Sequence, residues 1–186
     1  DEGTISVNGK VMGKDKDMLN EAGIIIEEPG FLRTWSGYHN LEFLYTLRNK
    51  KNKKHLYSVL EEVGLDPRLK RPVGKYSLGM RQRLAIARAL LHDTPVYIFD
   101  EATSNIDAES EEMIMDVIHK LAETKTIILI SHRLANVVKS DQIYMMKEGC
   151  IVETGIHEKL MEADGIYADL YRSQMELEQY GKEAAV

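Results

Sequence analysis

The sequence predicts an α/β fold built around a parallel sheet, and three observations carry that expectation. Residues 96–99 and Thr126–Ile130 are short runs made almost wholly of apolar side chains. Amphipathic stretches with helical spacing, residues 78–91 and 107–123, lie before and between them. No internal repeat or low-complexity segment interrupts the alternation. Strands without a polar face need cover on both sides, and helical crossovers between parallel strands supply it.

The elements follow in order. Residues 4–7 read as a strand, and Asn8-Gly9 as a tight hairpin turn. Residues 23–27 form a short apolar strand ending in acids, which Pro29-Gly30 breaks. From Tyr38 to about Gly64 the pattern is helical, with Leu41, Leu44, Tyr45 and Arg48 and then Leu56, Val59, Leu60 and Val63 at helical spacing. Gly64 is the expected C-cap. Arg68, Lys70, Arg71 and Lys75 form a basic connector of solvated character. In the helix over 107–123, Met113, Val117 and Leu121 share a face, with Ile114 and Ile118 beside them. Its acidic first turn suits the helix dipole. Residues 143–146 and 151–152, joined through Glu148-Gly149, suit a hairpin, and the chain is helical from His157 onward with a break near Gly165.

A chain of 186 residues is long enough for one domain with its own core. Lys and Arg number 24 against 30 Asp and Glu, a net charge of −6. Nucleic-acid binders carry a basic surplus, so this balance speaks against such a partner. The single cysteine, Cys150, cannot build a disulfide within the chain or a cysteine-based zinc site; it reads as a half-buried structural residue in a reducing, cytoplasmic setting. The apolar runs are far too short to span a bilayer, and no signal peptide is visible. Any membrane role is expected to come through a partner or another part of a longer protein.

The chemistry concentrates in two places. Residues 76–83 read Tyr-Ser-Leu-Gly-Met-Arg-Gln-Arg and open the helix over 78–91. Ser77 is placed as its N-cap. The N–H groups of Leu78, Gly79 and Met80 would then point out of the helix start, an arrangement that binds anions. Gly79 would let a phosphate approach the backbone. An ordinary capped, Arg-rich helix has the same sequence features. The apolar strand over 96–99 runs into Asp100 and Glu101, which places two carboxylates at the carboxyl edge of the sheet, where α/β folds bind ligands. One carboxylate suits a Mg²⁺ shell and the other can polarise a water. Acids after a strand are common by themselves.

Taken together, Ser77-Leu78-Gly79-Met80, the strand ending in Asp100-Glu101, the run from Ala102 to Asp107, and Ser131-His132-Arg133 resemble ABC (ATP-binding cassette) ATPases in order and spacing. The resemblance covers nearly the whole chain. It implies a P-loop NTPase parallel-sheet core with an inserted helical subdomain at about residues 30–90, which includes the start of the signature helix. Residues 91–186 would supply core strands, a hairpin and C-terminal helices. It further implies binding and hydrolysis of ATP with Mg²⁺ to power transport, at the inner, cytoplasmic face of the cell membrane. The implied partners are a transmembrane permease subunit or fused membrane domain, and a second nucleotide-binding domain in a dimer. By resemblance, Ser77 and Gly79 belong to the signature motif that contacts the γ-phosphate on the opposite subunit. Asp100 supports Mg²⁺, Glu101 is the general base, Asp107 is the D-loop aspartate that communicates across the dimer, and His132 is the switch histidine. The other histidines read as surface or packing residues.

Some positions depart from the family pattern. Glu27 stands where the family usually has Gln; a carboxylate there can still bind Mg²⁺ or its water. Leu78 replaces the usual first signature glycine and Met80 the usual Gln. The stretch through Gly64 and the signature resemble bacitracin-type cassettes, which are separate from their membrane subunits. The stretch from Val96 onward resembles exporters with a fused membrane domain. A natural recombinant, a mosaic sequence and a divergent member all fit this pattern. No segment matches the Walker A pattern G-x-x-x-x-G-K-[ST]. The opening residues resemble the family segment just after the Walker A helix, so the expectation is a domain lacking its N-terminal part, and a chain inactive by itself. A soluble, non-transport ABC ATPase and a non-catalytic fragment are the rival readings.

Overall fold

In the computed structural model, which describes residues 4, 6–7, 10–11, 22–26, 30–103 and 106–183, the apolar runs pair into one parallel sheet. Its strands are β3 (Ala22–Ile26), β4 (Val96–Asp100) and β5 (Thr126–Ile130), in the order β3-β4-β5. The register aligns Ile25 with Phe99 and Leu129, and Ile26 with Asp100 and Ile130. A separate antiparallel pair, β1 (Ser6–Val7) and β2 (Lys10–Val11), flanks the expected Asn8-Gly9 turn, which itself lies outside the described residues. The chain divides into two units, Asp1–Ile130 and Ser131–Val186.

In the first unit, one face of the sheet carries the core. Gly23, Ile25, Tyr97 and Phe99 are buried there, and Ile127 and Leu129 pack against the same cluster. On the opposite face, Ile128 and Ile130 of β5 are each 47% exposed among the described residues. The covering helices are α3 (Leu78–Ala89), packed on β3, and α4 (Ala108–Ala122), packed on β5. Gly23 is required where α3 meets the sheet, because a Cβ there would overlap the Tyr97 ring and lie 2.9 Å from the Ala89 carbonyl oxygen.

The helical stretch expected from Tyr38 to Gly64 is two helices, α1 (Gly37–Thr46) and α2 (Lys53–Glu62). The intervening segment is exposed and polar, and Asn52 restarts the helix by accepting the His55 N–H at 3.1 Å. The Gly64 cap is present, with φ +68°; the Leu65 N–H donates to the Leu60 carbonyl and the Gly64 N–H to that of Glu61. In α4 the buried stripe is Ile114, Met115, Ile118 and Leu121, while Met113 is exposed. The stripe is rotated relative to the expected face, because the packing of α3 and the sheet, rather than the count of apolar side chains, decides which side of the helix is buried.

The second unit contains the hairpin of β6 (Ile143–Lys147) and β7 (Cys150–Gly155), then α5 (His157–Glu162) and α6 (Ile166–Glu183). Glu148 (φ +51°) and Gly149 (φ +78°) make the two-residue turn, the geometry whose twist matches the flanking strands. Cys150 is exposed, not half-buried, because it follows this turn. Beyond α5, Asp164 is left-handed. The Glu153 carboxylate accepts the N–H groups of Ile166 (2.6 Å) and Tyr167 (3.0 Å), capping α6 from β7.

Candidate functional site

Asp100 ends the central strand, with Ile26 and Ile130 as its register partners. The Glu101 N–H extends the ladder by one bond, donating to the Ile130 carbonyl at 3.0 Å. Glu101 then turns left-handed, at φ +49°. A residue with a Cβ pays about 1–2 kcal/mol for that conformation. Such strain persists where surrounding structure enforces it, and it concentrates at functional sites. Consecutive strand residues would face opposite sides of the pleat; the turn at Glu101 releases the second carboxylate from that alternation. Both acids are partly exposed, and Ala102 and Thr103 behind them are buried. Glu27 directly follows the register partner of Asp100 and lies outside the described residues.

The donor chemistry at this edge is hard oxygen, as Mg²⁺ requires. Among the described residues no group of three His, Cys, Asp or Glu side chains could hold a metal alone. Mg²⁺ in general keeps waters and takes substrate phosphates together with one or two carboxylates.

Two helix starts meet in the first unit. Ser77 caps α3 by accepting the Met80 N–H at 3.2 Å and is exposed. Asp107 caps α4 by accepting the Ser110 N–H at 2.8 Å and is also exposed. The backbone and hydroxyl hydrogen bonds from Ser110, helped by the charge of Arg83 on α3, hold the Asp107 carboxyl below its usual pKa. Gly79 is buried between the helices, and a Cβ on it would overlap Ser110. The direction in which this glycine lacks a side chain is therefore filled by α4, not left open for a phosphate.

His132, in the second unit, is exposed on a short loop after Ser131. The Ser131 hydroxyl accepts the Arg133 N–H at 3.0 Å, a local turn. The larger restraint comes from α6. Gln174 Nε2 donates to the His132 carbonyl at 2.7 Å, and Gln174 Oε1 accepts the Leu134 N–H at 2.9 Å. Ser110 and Gln174 were not legible as site residues. Ser110 reads as an ordinary helix residue, and nothing in the sequence marks one glutamine of a polar helix as the partner of a loop 42 positions away.

A parallel sheet with an acidic carboxyl edge, and helices inserted between its first two strands, is the layout of an ABC ATPase domain. The comparisons agree. The ABC transporter family model matches residues 1–104. An uncharacterized ABC transporter ATP-binding protein of Haemophilus influenzae is 47% identical over 136 residues, 68% of this chain and 24% of that protein. An ATP-dependent lipid A-core flippase of Vibrio vulnificus is 49% identical over 113 residues, 61% of this chain and 19% of the flippase. A bacterial Atm1-family ABC exporter, solved with ATP bound, superposes with a TM-score of 0.69 at 28% identity, covering 83% of this chain and 29% of the exporter. A dimeric ATP-binding cassette in a post-hydrolysis state, bound to ADP and Pi, shares the fold at a TM-score of 0.71 and 21% identity, over 84% of this chain and 74% of the cassette. The chain belongs to the ABC transporter family. It spans about a fifth to a quarter of the length of the curated relatives it matches. No helix among the described residues is long and apolar enough to cross a membrane.

Proposed function

We propose that this chain is part of an ATP-hydrolysing domain that powers transport across a membrane, working as one of two nucleotide-binding domains in a dimer at the cytoplasmic face. The observation that carries the reading is the left-handed Glu101 directly after Asp100 at the carboxyl edge of the sheet. Asp100, with Glu27, would hold Mg²⁺ or its waters. Bound Mg²⁺ neutralises charge on the phosphates. Glu101 accepts the proton of the attacking water, and its strained backbone fixes where that carboxylate stands. Ser77 and the start of α3 present N–H groups to the γ-phosphate held by the partner domain. Asp107 relays the state of one domain to the other. His132 donates to the γ-phosphate as charge shifts during transfer. The membrane domain, fused or separate, is the implied partner; the flippase and exporter relatives support export. Net charge of −6 favours this over a nucleic-acid role.

Glu101→Gln in the full-length protein tests the assignment. Turnover is expected to fall by about 10²–10⁴-fold, the usual worth of a general base, with ATP binding retained. Hydrolysis near the wild-type rate would remove Glu101 from this role. One observation favours a second reading for the 186-residue chain taken alone: none of its segments carries the Walker A pattern. Without that cradle of N–H groups and lysine, adjacent carboxylates repel a triphosphate. The isolated chain is expected to bind Mg-ATP poorly and not to hydrolyse it. Micromolar binding in calorimetry would overturn this.

A further inference from the structure

The first turn of α3 lies at the surface except at one residue. Ser77 is exposed and Leu78 and Met80 are half-buried, yet Gly79 between them is buried. What buries it is Ser110, in the first turn of α4. A Cβ on Gly79 would overlap Ser110 Oγ, lie 2.5 Å from Ser110 Cβ, and stand 3.6 Å from Asp107 Oδ2. Rotating the hydroxyl relieves only the first of these clashes, since Ser110 Cβ moves only with its backbone. The two helices therefore approach as closely as a glycine facing a small side chain allows. Ser110 also faces the other way, because its N–H donates to Asp107 Oδ1 at 2.8 Å. One small residue thus touches the start of α3 and holds the cap of α4.

We propose that Ser110 is a positioning residue that fixes the signature turn of α3 against the Asp107 cap of α4, and that Gly79 lacks a side chain in order to receive Ser110. The proposal rests on the ATPase reading for its functional consequence. If the signature turn acts on the partner's nucleotide while Asp107 senses the partner domain, the Gly79–Ser110 contact makes them move together. The N–H groups at the start of α3 still point along the helix axis, so the phosphate role of this turn is kept. The glycine itself is assigned to the helix contact.

The test is a pair of opposed substitutions and their rescue in the full-length protein. Gly79→Ala and Ser110→Val crowd the same contact from either side. Each is expected to lower kcat by about tenfold or more, as displacements of about an ångström do. KM for ATP should move by less than about threefold, because a domain's own nucleotide is held elsewhere. Amide exchange in the first turns of α3 and α4 should accelerate in both variants. Ser110→Gly in the Gly79→Ala background clears both clashing atoms and is expected to restore most of kcat and of the exchange protection. If the double variant stays as slow as Gly79→Ala, with exchange unchanged throughout, the glycine serves the phosphate and the proposal fails. Restored protection without restored kcat would confine the contact to folding and overturn the positioning role. A wild-type protein without ATP hydrolysis would refute the ATPase reading instead, leaving the exchange measurements to judge the contact.

Discussion

The capped starts of α3 and α4 and the loop carrying His132 each present a candidate nucleotide-facing residue, but they are held in different ways. Ser77 and Asp107 each accept a backbone N–H three residues along, Met80 and Ser110 respectively. Those restraints are local and form with the helix itself. The His132 loop is bracketed by Gln174, whose carboxamide meets the His132 carbonyl and the Leu134 N–H from a helix 42 and 40 residues further on. A capped start needs only the right residue at the right offset, so several residue types serve. The loop needs both a donor and an acceptor on one planar group, delivered by tertiary packing. The contrast predicts that a residue held locally tolerates substitution of its anchor, and that one held from afar does not.

Three experiments sharpen or break that contrast. The largest effect is expected from His132→Ala in the full-length protein. Loss of a donor to the transferring phosphate should cost about 10²–10³-fold in kcat, with nucleotide binding little changed. Unchanged kcat would make His132 a surface residue and empty the comparison on one side.

A smaller but more diagnostic effect is expected from Gln174→Ala. Removing a carboxamide that bonds one exposed and one partly buried backbone group costs about 0.5–1.5 kcal/mol locally. Amide exchange at residues 131–134 should accelerate, and kcat should fall less than for His132→Ala. The double variant should be no slower than His132→Ala alone, since Gln174 acts only through the loop. Gln174→Glu should fail as well, because a carboxylate accepts from Leu134 but cannot donate to the His132 carbonyl. Additive losses in the double variant would show that Gln174 acts elsewhere.

The smallest effects belong to the local caps. Ser77→Ala should cost about 1 kcal/mol of stability, and Ser77→Asp or Ser77→Asn should recover it, as read from the unfolding midpoint. If Asp and Asn fail to recover it, the cap is not what Ser77 contributes. Asp107 adds a pH dependence of defined sign. Its carboxyl titrates below the usual value in the folded chain, chiefly through its hydrogen bonds from Ser110. The cap's contribution is therefore complete above the unfolded carboxylate pKa of about 3.9, and it is lost as the pH falls through the folded value. Protection of the Ser110 N–H, its exchange taken relative to the intrinsic rate at each pH, should fall over that acid range in the native protein and stay level in Asp107→Asn. A level profile in both would mean that the ionised carboxylate is not what holds the cap.

Legibility followed the same division. The strands over Val96–Asp100 and Thr126–Ile130, the caps Ser77 and Gly64, and the Glu148-Gly149 turn could be read from sequence, since each depends on chemistry within a few residues; the Asp107 cap of α4 came only with the structure. The break between α1 and α2 was missed because apolar spacing on either side of a short polar segment continues in phase. The buried stripe of α4 differs from the expected face because Met113 is apolar yet exposed. Glu101 could be placed after Asp100, but its left-handed backbone could not be foreseen, since no local rule favours that conformation for glutamate.

By itself, then, the sequence determined which residue types stand at the strand ends and helix starts, because caps, turns and apolar runs act over a few positions along the chain. Only the tertiary structure decided that Gly79 opens toward Ser110 and that Gln174 grips the His132 loop. These depend on which surfaces meet. Contacts between residues far apart in the chain are selected by packing, shape and hydrogen-bond geometry in the assembled fold, and no periodicity along the sequence encodes them.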